Sequence, residues 1–368
     1  MKRFPALILP LLLLTGCGDK TVTFEGAETF GYKDFAVSRT LTADQADTVF
    51  DGQTLLNPSH IFLLDSLLLT KDSDADFILN VFSLKNKSLK GSFLKSGKGP
   101  YEEVSSLIRK APQERKIYAF DFLQKKMLAF AYDQIASVSD GLLIPTDIYT
   151  NLTGRPQTML PGERFLSGEN DTLSGPSRIK IYDRDGNLQT CFGEYPGFQT
   201  DHRKELMPML LNYIETVASD DGKRLMFLGK SNDLVEIWDL EKQAAHRFLQ
   251  GPDLRMPEYI RRSIGGSIEI IMGGRYSCYS EAISAAGSVW ALYDGSISAI
   301  LDDSFDLTKP TPRVENNSRL LRFDWEGRPL ACYQLPCPVK NFDVDERGEW
   351  LYCLTKQEGE FSVIRFPL

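Results

Sequence analysis

The sequence predicts an all-β protein, a β-propeller of six blades, each built of antiparallel strands. Two recurring patterns predict this fold class. The first is a pair of amphipathic strands joined by a tight polar turn, and the second is a short, continuously apolar strand that precedes the pair. Together they form units of about 40 to 60 residues along the chain, which is the spacing of propeller blades.

The strand pair is the clearer of the two patterns. Apolar and polar residues alternate on both sides of a turn, as half-buried strands of a hairpin do, and Asp-Gly, Glu-Gly or Lys-Asn-Lys supplies the turn. Four copies are visible, at 81–93, 179–192, 235–248 and 321–333.

The apolar strand needs both of its faces buried, which is the situation of a strand inside a stack of small sheets. Ile61 to Leu69 is interpreted as one such strand. Further copies lie at 116–122, 224–228, 288–293 and 349–354.

These patterns divide the chain into six approximate units, at 55–95, 104–140, 144–193, 212–250, 278–335 and 336–368. The last unit is too short for a blade. Residues 28–50 contain strand-like apolar residues that can complete it, so that N- and C-terminal strands share one blade and close the ring. Five or seven blades, or an array of two-sheet sandwiches, are the alternatives.

The N-terminus predicts export. Lys2 and Arg3 precede an apolar run from Phe4 to Leu14, the pattern of a secretory signal peptide, and that run is shorter than the roughly 20 residues that span a bilayer. The run ends in Leu-Thr-Gly followed by Cys17, which resembles the lipobox of bacterial lipoproteins. That resemblance implies cleavage before Cys17 and acylation of it, with 1–16 as signal peptide, 17–27 as anchor and tether, and 28–368 as one propeller domain.

A more specific resemblance rests on three features: the lipobox, the Ile-x-x-x-Asp-Ser-Leu-Leu segment ending near Leu69, and the run Gly97-Lys98-Gly99-Pro100-Tyr101-Glu102. Together they resemble the TolB-like six-bladed propeller lipoproteins typical of Bacteroidetes. The resemblance implies a propeller held at the cell envelope, on the outer membrane and facing the periplasm or the surface. It carries over no catalytic residue.

Composition excludes several classes of function. The formal net charge is −8 and no run of Lys or Arg exceeds two residues, which disfavours a nucleic-acid partner. The chain has three histidines and no Cys-x-x-Cys pair, so neither a metal site nor another cofactor is predicted. The alternating carboxylates of Asp72, Asp74 and Asp76 lack the glycine and glutamate of a calcium loop, and a solvated turn is the preferred interpretation.

Two kinds of segment are candidate sites. Gly97, Lys98, Gly99 and Pro100 lack the Walker spacing and predict a structural turn that frames the propeller mouth. The segments 194–214 and 251–277 interrupt the β pattern, and a short helix is expected from about Asp201 to Met207. Arginine and tyrosine are favoured at interfaces, and the predicted ligand-binding residues of the second segment are Arg255, Tyr259, Arg261, Arg262, Arg275 and Tyr276.

The resulting functional hypothesis is an envelope lipoprotein whose non-catalytic propeller binds a protein partner or a glycan through one face, with Cys17 holding it to the membrane. The alternative is a propeller-type hydrolase or lyase acting at the central channel. Carboxylates, histidine or asparagine converging on the axis would favour the enzyme, and an aromatic or arginine-rich rim would favour the binding module.

Overall fold

The computed structural model describes residues 23–52, 54–72, 76–139, 141, 143–150, 152, 156–167, 177–197, 207–264, 267–273, 276–297 and 318–368. Six small antiparallel sheets lie in a ring, which confirms the predicted six-bladed propeller. The first three strands belong to an N-terminal segment that joins sheets formed later in the chain: β1 (Ala27–Thr29), β2 (Val37–Thr40) and β3 (Asp47–Phe50).

The first three blades follow one another along the chain, each with its first strand innermost. Blade 1 contains β4 (Pro58–Leu64), β5 (Leu67–Asp72), β6 (Phe77–Ser83) and β7 (Ser88–Lys95). Blade 2 contains β8 (Ser106–Ala111), β9 (Lys116–Asp121), β10 (Lys126–Ala131) and β11 (Asp147–Thr150). Blade 3 contains β12 (Pro156–Leu160), β13 (Arg164–Ser167), β14 (Ile179–Tyr182) and β15 (Leu188–Phe192).

The last three blades each gain a strand from the N-terminal segment. Blade 4 contains β16 (Ile214–Ala218), β17 (Arg224–Gly229), β18 (Leu234–Asp239) and β19 (Ala244–Gln250), and a separate hairpin of β20 (Glu258–Ile264) and β21 (Ser267–Gly273) follows it. Blade 5 contains β22 (Tyr276–Ala285), β23 (Ser288–Ile297), β24 (Arg319–Phe323) and β25 (Pro329–Gln334). Blade 6 contains β26 (Asn341–Val344), β27 (Trp350–Gln357) and β28 (Glu360–Pro367).

Helical structure is confined to short pieces in the described chain. Two helices occur, α1 (Tyr132–Ala136) and α2 (Met207–Leu211), and three 3₁₀ turns lie at Tyr32–Asp34, Ala43–Gln45 and Pro112–Glu114. The helix expected from Asp201 falls largely outside the described residues, and α2 begins where it was expected to end.

The ring closes as predicted, because β3 pairs antiparallel with β28 as the outer strand of blade 6. Arg365 donates to the carboxylate of Asp47 across this pair. The other two N-terminal strands were not expected where they lie: β1 pairs in parallel with β19, and β2 with β25, so the segment wraps blades 4 and 5 before reaching blade 6. The folded part also includes Phe24, four residues before the expected boundary at 28.

The two sequence patterns correspond to fixed positions in the blades. All four strand pairs are the third and fourth strands of a blade, and the apolar segments contain the buried second strands. One interpretation was wrong: Ile61 to Leu69 is a hairpin, with Asp65 at φ 51° in a left-handed turn between β4 and β5. Both strands of this hairpin are apolar, so the pattern concealed the turn.

A second boundary was also wrong. Residues 147–150 were assigned to the third unit, but β11 pairs with β10 and is the outer strand of blade 2. Helix α1 and the residues after it separate β11 from its partner, which explains the misassignment. The hydrophobic core lies between neighbouring blades; Phe93 of blade 1 meets Phe130 of blade 2 edge to face, with ring centroids 5.1 Å apart.

This topology places the connections on two opposite ends of the ring. The connection face carries the links from each outer strand to the next inner strand and those from second to third strands, with the described residues 51–52, 54–57, 96–105, 122–125, 193–197, 207–213, 230–233 and 251–257 among them. The hairpin face carries the turns from first to second strands, at 65–66, 112–115, 161–163, 219–223, 286–287 and 345–349.

Candidate functional site at the mouth of the central channel

Polar side chains from the inner strands converge on the central channel near the connection face. Strand β4 supplies His60, β8 supplies Arg109, β16 supplies Glu215 and β22 supplies Glu281, and Lys230 reaches in from the turn after β17. They line a cavity of about 330 Å³. Gln157, Asn212 and Tyr213 complete its wall, so five of the six blades or their links contribute.

The polar groups of this cavity contact one another or the neighbouring backbone. The ammonium of Lys230 contacts Oε1 of Glu215 and lies 5.6 Å from the ring centroid of Tyr213. Nε2 of His60 lies 4.0 Å from Oε2 of Glu281. Arg109 donates from Nε to the carbonyl of Gln157, which holds its guanidinium across the gap between blades 2 and 3.

Burial determines the protonation behaviour of these groups. It raises the pKa of Glu215, with the nearby charge of Glu281 adding to the effect, and it raises the pKa of Glu281 against the opposing influence of Lys230 and Arg109. It lowers the pKa of His60 to about 4, assisted by the positive charges of Lys71 and Arg109. His60 is therefore a neutral imidazole at neutral pH.

Below this cavity a second layer of polar groups joins blade 6 to blades 1 and 2. Oδ1 of Asn341 accepts the amide hydrogen of Ile61 at 2.8 Å, and Lys110 forms an ion pair with Asp343. Towards the hairpin face the channel widens into a basin of about 530 Å³, whose polar lining includes Asp65, Lys110, Asp220, Asp345, Glu346 and Arg347.

The turn of Gly97, Lys98, Gly99 and Pro100 lies on the connection face but does not line the cavity. Its backbone is held from below: Glu102 accepts the amide hydrogen of Gly99 at 2.8 Å, and Lys126 donates to the carbonyl of Gly99 at 2.7 Å. A Cβ at Gly97 would lie 2.2 Å from Oε2 of Glu102. The contacts fit the structural interpretation of this turn.

The predicted ligand-binding residues also lie on the connection side, in the link between blades 4 and 5. The guanidinium of Arg255 lies 4.6 Å from the ring centroid of Tyr276 and donates to the carbonyl of Gly295 at 3.3 Å. Tyr259, Arg261 and Arg262 belong to β20. Arg275, Cys17 and His202 fall outside the described residues.

Sequence reasoning missed the residues of the channel mouth. His60, Arg109, Glu215 and Glu281 are single polar residues in strands far apart in the chain. The available signal is their common position: each lies on the inner strand of its own blade, and aligning those strands would have placed them around one axis.

The potential metal ligands and the cysteines are two further features of the described part of the chain. No group of three or more His, Cys, Asp or Glu side chains there is arranged to hold a metal ion. Cys191, Cys278, Cys332, Cys337 and Cys353 are all free thiols.

Comparison with known proteins gives one family match and several distant structural likenesses. No curated protein matches the sequence. Solved structures of similar fold include U3-55K (11% identity, covering 89% of this chain and 99% of that chain, TM-score 0.47) and the WD40 repeats of RRP9 (10%, 90% and 99%, 0.46). A putative exported protein from Bacteroides fragilis NCTC 9343 is similar too (11%, 90% and 98%, 0.47).

The family match covers most of the chain. Residues 32–347 fit the family described as TolB-like 6-blade propeller-like, a stretch that begins before β2 and ends in blade 6. The chain therefore belongs to the TolB-like six-bladed propeller family.

Proposed function

We propose that this protein is a cell-envelope lipoprotein whose propeller is a non-catalytic binding module, and that it binds a polar segment of a partner protein at the channel mouth on the connection face. The observation that carries the proposal is a cavity of about 330 Å³ lined by side chains of both charge signs. Two carboxylates, Glu215 and Glu281, share the cavity with the cations of Arg109 and Lys230.

A cavity that presents both signs of charge is suited to a ligand that carries both. A peptide segment does so through its charged side chains and its polar backbone, whereas a neutral glycan offers mainly hydroxyl groups. Of the two ligand classes expected from the sequence, the charge pattern therefore favours the peptide.

The envelope location is supported by the leader pattern of 1–16 and by the lipobox ending at Cys17. Among the described residues, no helix is long and apolar enough to cross a membrane. In this proposal the acyl chains on Cys17 provide the membrane attachment.

Affinity capture from detergent-solubilised envelopes, with the lipid anchor intact, tests the proposal. The double variant Glu215→Gln, Glu281→Gln removes two charges and keeps the side-chain shapes. Glu241→Gln, at a surface ion pair with Lys223, is the matched control. We expect a captured protein that is retained by the wild type and the control and lost from the double variant. Equal capture by the wild type and the double variant would contradict binding at this mouth.

A second candidate, a hydrolase or lyase at the channel, is favoured by one specific observation. Glu215, Glu281 and the neutral imidazole of His60 face the same cavity, and this is the convergence at the axis that was expected of an enzyme. The two functions differ in what happens to the ligand. Recovery of the captured ligand in altered covalent form from the wild type, but intact from Glu281→Gln, would favour the enzyme.

A further inference from the structure

We propose that the connection face docks on the surface of the lipid bilayer, so that the propeller axis is perpendicular to the membrane plane. The inference rests on the proposed acylation of Cys17 and adds an orientation to it. Two independent observations support it: where the N-terminal segment enters the fold, and where the most exposed apolar side chains lie.

The N-terminal segment enters the propeller at the connection face. Phe24 is buried there among Met207, Leu210 and Leu211 of α2 and Leu234 at the start of β18. Its backbone amide donates to the side-chain carbonyl of Gln250, at the end of β19. The next residue, Glu25, donates to the carbonyl of Gly197 at 2.7 Å in the link between blades 3 and 4.

Only a short stretch of chain separates this entry point from the proposed lipid. Cys17 precedes Phe24 by seven residues, and seven extended residues span at most about 25 Å. A strand of eight residues, such as β7, is itself about 26 Å long. The whole length of the tether would therefore be needed to cross the propeller from the entry point to the hairpin face. A membrane at the connection face requires only part of that length.

The two most exposed large apolar side chains of the described residues lie on this same face. Leu56, between blades 6 and 1, is 71% exposed, and Leu123, at the end of blade 2, is 70% exposed. Tyr213, between blades 3 and 4, is 57% exposed. Val104 stands beside Leu123, because the amides of both residues donate to the carboxylate of Asp121.

The distribution of these residues favours a bilayer over a protein as the occupant. They project from separate positions around the ring, and a flat surface can meet all of them at once, whereas a protein partner usually engages one contiguous patch. Leucine and tyrosine are also residues that enter the membrane interface. Among the other exposed apolar residues, Leu89 on β7 lies on an outer strand along the side wall, whereas Ile144, 58% exposed, precedes β11 on the hairpin side.

This orientation has a consequence for the proposed ligand. The channel mouth with Glu215 and Glu281 would open towards the bilayer, and the larger basin of the hairpin face would open away from it. A partner segment that enters the mouth would then belong to a protein held in the same membrane.

Depth-dependent fluorescence quenching tests the docking. The full-length lipidated protein is reconstituted into vesicles of phosphatidylethanolamine and phosphatidylglycerol, with Cys191→Ser to remove the exposed thiol. A bimane label is attached to Leu56→Cys, to Leu123→Cys, or to the matched control Leu89→Cys, whose side chain is comparably open but lies on the side wall. Protein that carries Cys191→Ser but no introduced cysteine measures background labelling. Nitroxide groups on the lipid acyl chains act as quenchers.

We expect severalfold stronger quenching, and a blue-shifted emission, at positions 56 and 123 than at position 89. Equal quenching at all three positions in protein that floats with the vesicles would overturn the docking and leave the acylation intact. If neither the wild-type protein nor the Cys17→Ser variant floats with the vesicles, both the acylation and the docking are contradicted. Ligand binding at the mouth is tested separately by the Glu215 and Glu281 variants, which none of these labels touch.

Discussion

The carboxylate of Asp343 accepts a hydrogen bond from the backbone amide of Leu63 at 2.8 Å, although 280 residues separate them. The same carboxylate pairs with the ammonium of Lys110 and accepts the amide hydrogen of Val344. One buried side chain thus joins the inner strands of blades 6, 1 and 2. Asp343 links the blades on the inside of the ring, whereas the pairing of β3 with β28 closes the ring on its outside.

Replacement of Asp343 by Ala should lower the free energy of unfolding by about 3 kcal/mol, because it leaves the largely buried Lys110 without its carboxylate and Leu63 without an acceptor. Urea unfolding followed by tryptophan fluorescence measures the change. Asp133→Ala is the control, since that side chain is 93% exposed and its surface ion pair is worth less than about 1 kcal/mol. Equal losses in the two variants would contradict the bracing role.

The fold was predictable from the sequence because its signals are local. Four of the blades repeat a hairpin whose turn residues and alternating strands lie within about fifteen residues of one another. Where local signals conflicted with pairing, the prediction was wrong. Asp65 and Ser66 form a turn inside an apolar run, and β11 is separated from β10 by α1.

The channel mouth was not predictable in the same way. His60, Glu215 and Glu281 come from three blades, and each looks like an ordinary polar residue of a strand end. Their convergence depends on the ring closing, which is a long-range property. Arg255 contacts the ring of Tyr276 in the link between blades 4 and 5, and its role in ligand binding stays a prediction.

Blades 3 and 4 are joined by a buried ion pair of Arg178 and Glu236, whose side chains are almost wholly inaccessible. Glu236 also accepts a hydrogen bond from the indole of Trp238 at 3.1 Å, and Arg178 donates to Asn212 at 2.8 Å. Glu236→Gln should cost about 3 to 5 kcal/mol of unfolding free energy, since it leaves a buried guanidinium without a counter-charge.

A double-mutant cycle checks this expectation. Arg178→Met combined with Glu236→Gln removes both charges, so we expect the double variant to be more stable than Glu236→Gln alone. Additive losses, each below about 1 kcal/mol, would show that the pair is not coupled. Lys223→Met with Glu241→Gln, at the exposed pair, provides the comparison.

Glu103 should make the stability depend on pH. It is fully buried below the turn of Gly97 and Gly99, and burial raises its pKa to about 8, with the charge of Asp121 adding to the effect. A carboxyl whose pKa is higher in the folded state contributes stability below its unfolded value of 4.5, and that stability is lost as the pH rises through 8.

The variant Glu103→Gln cannot ionise and should escape this loss. Its melting temperature relative to the wild type should therefore rise steadily between pH 5 and pH 9, measured by differential scanning calorimetry at about one-unit steps. Glu346→Gln on the exposed hairpin face is the control and should show no such trend. A constant difference between Glu103→Gln and the wild type would mean that Glu103 is ionised in the folded protein throughout this range.

His60 should remain neutral far below the ordinary range of histidine. Burial, followed by the charges of Lys71 and Arg109, lowers its pKa to about 4, so the stability gained by keeping it neutral is present above 6.5 and is lost as the pH falls through 4. Proton NMR of the imidazole, assigned by loss of the signal in His60→Gln, measures the midpoint. Since the charge of Lys71 lowers this pKa, Lys71→Met should move the midpoint upward, and the shift identifies the two side chains as neighbours in the folded protein. A midpoint at about pH 6 or above in the wild type would place His60 in open solvent and would remove the neutral base from the enzyme alternative.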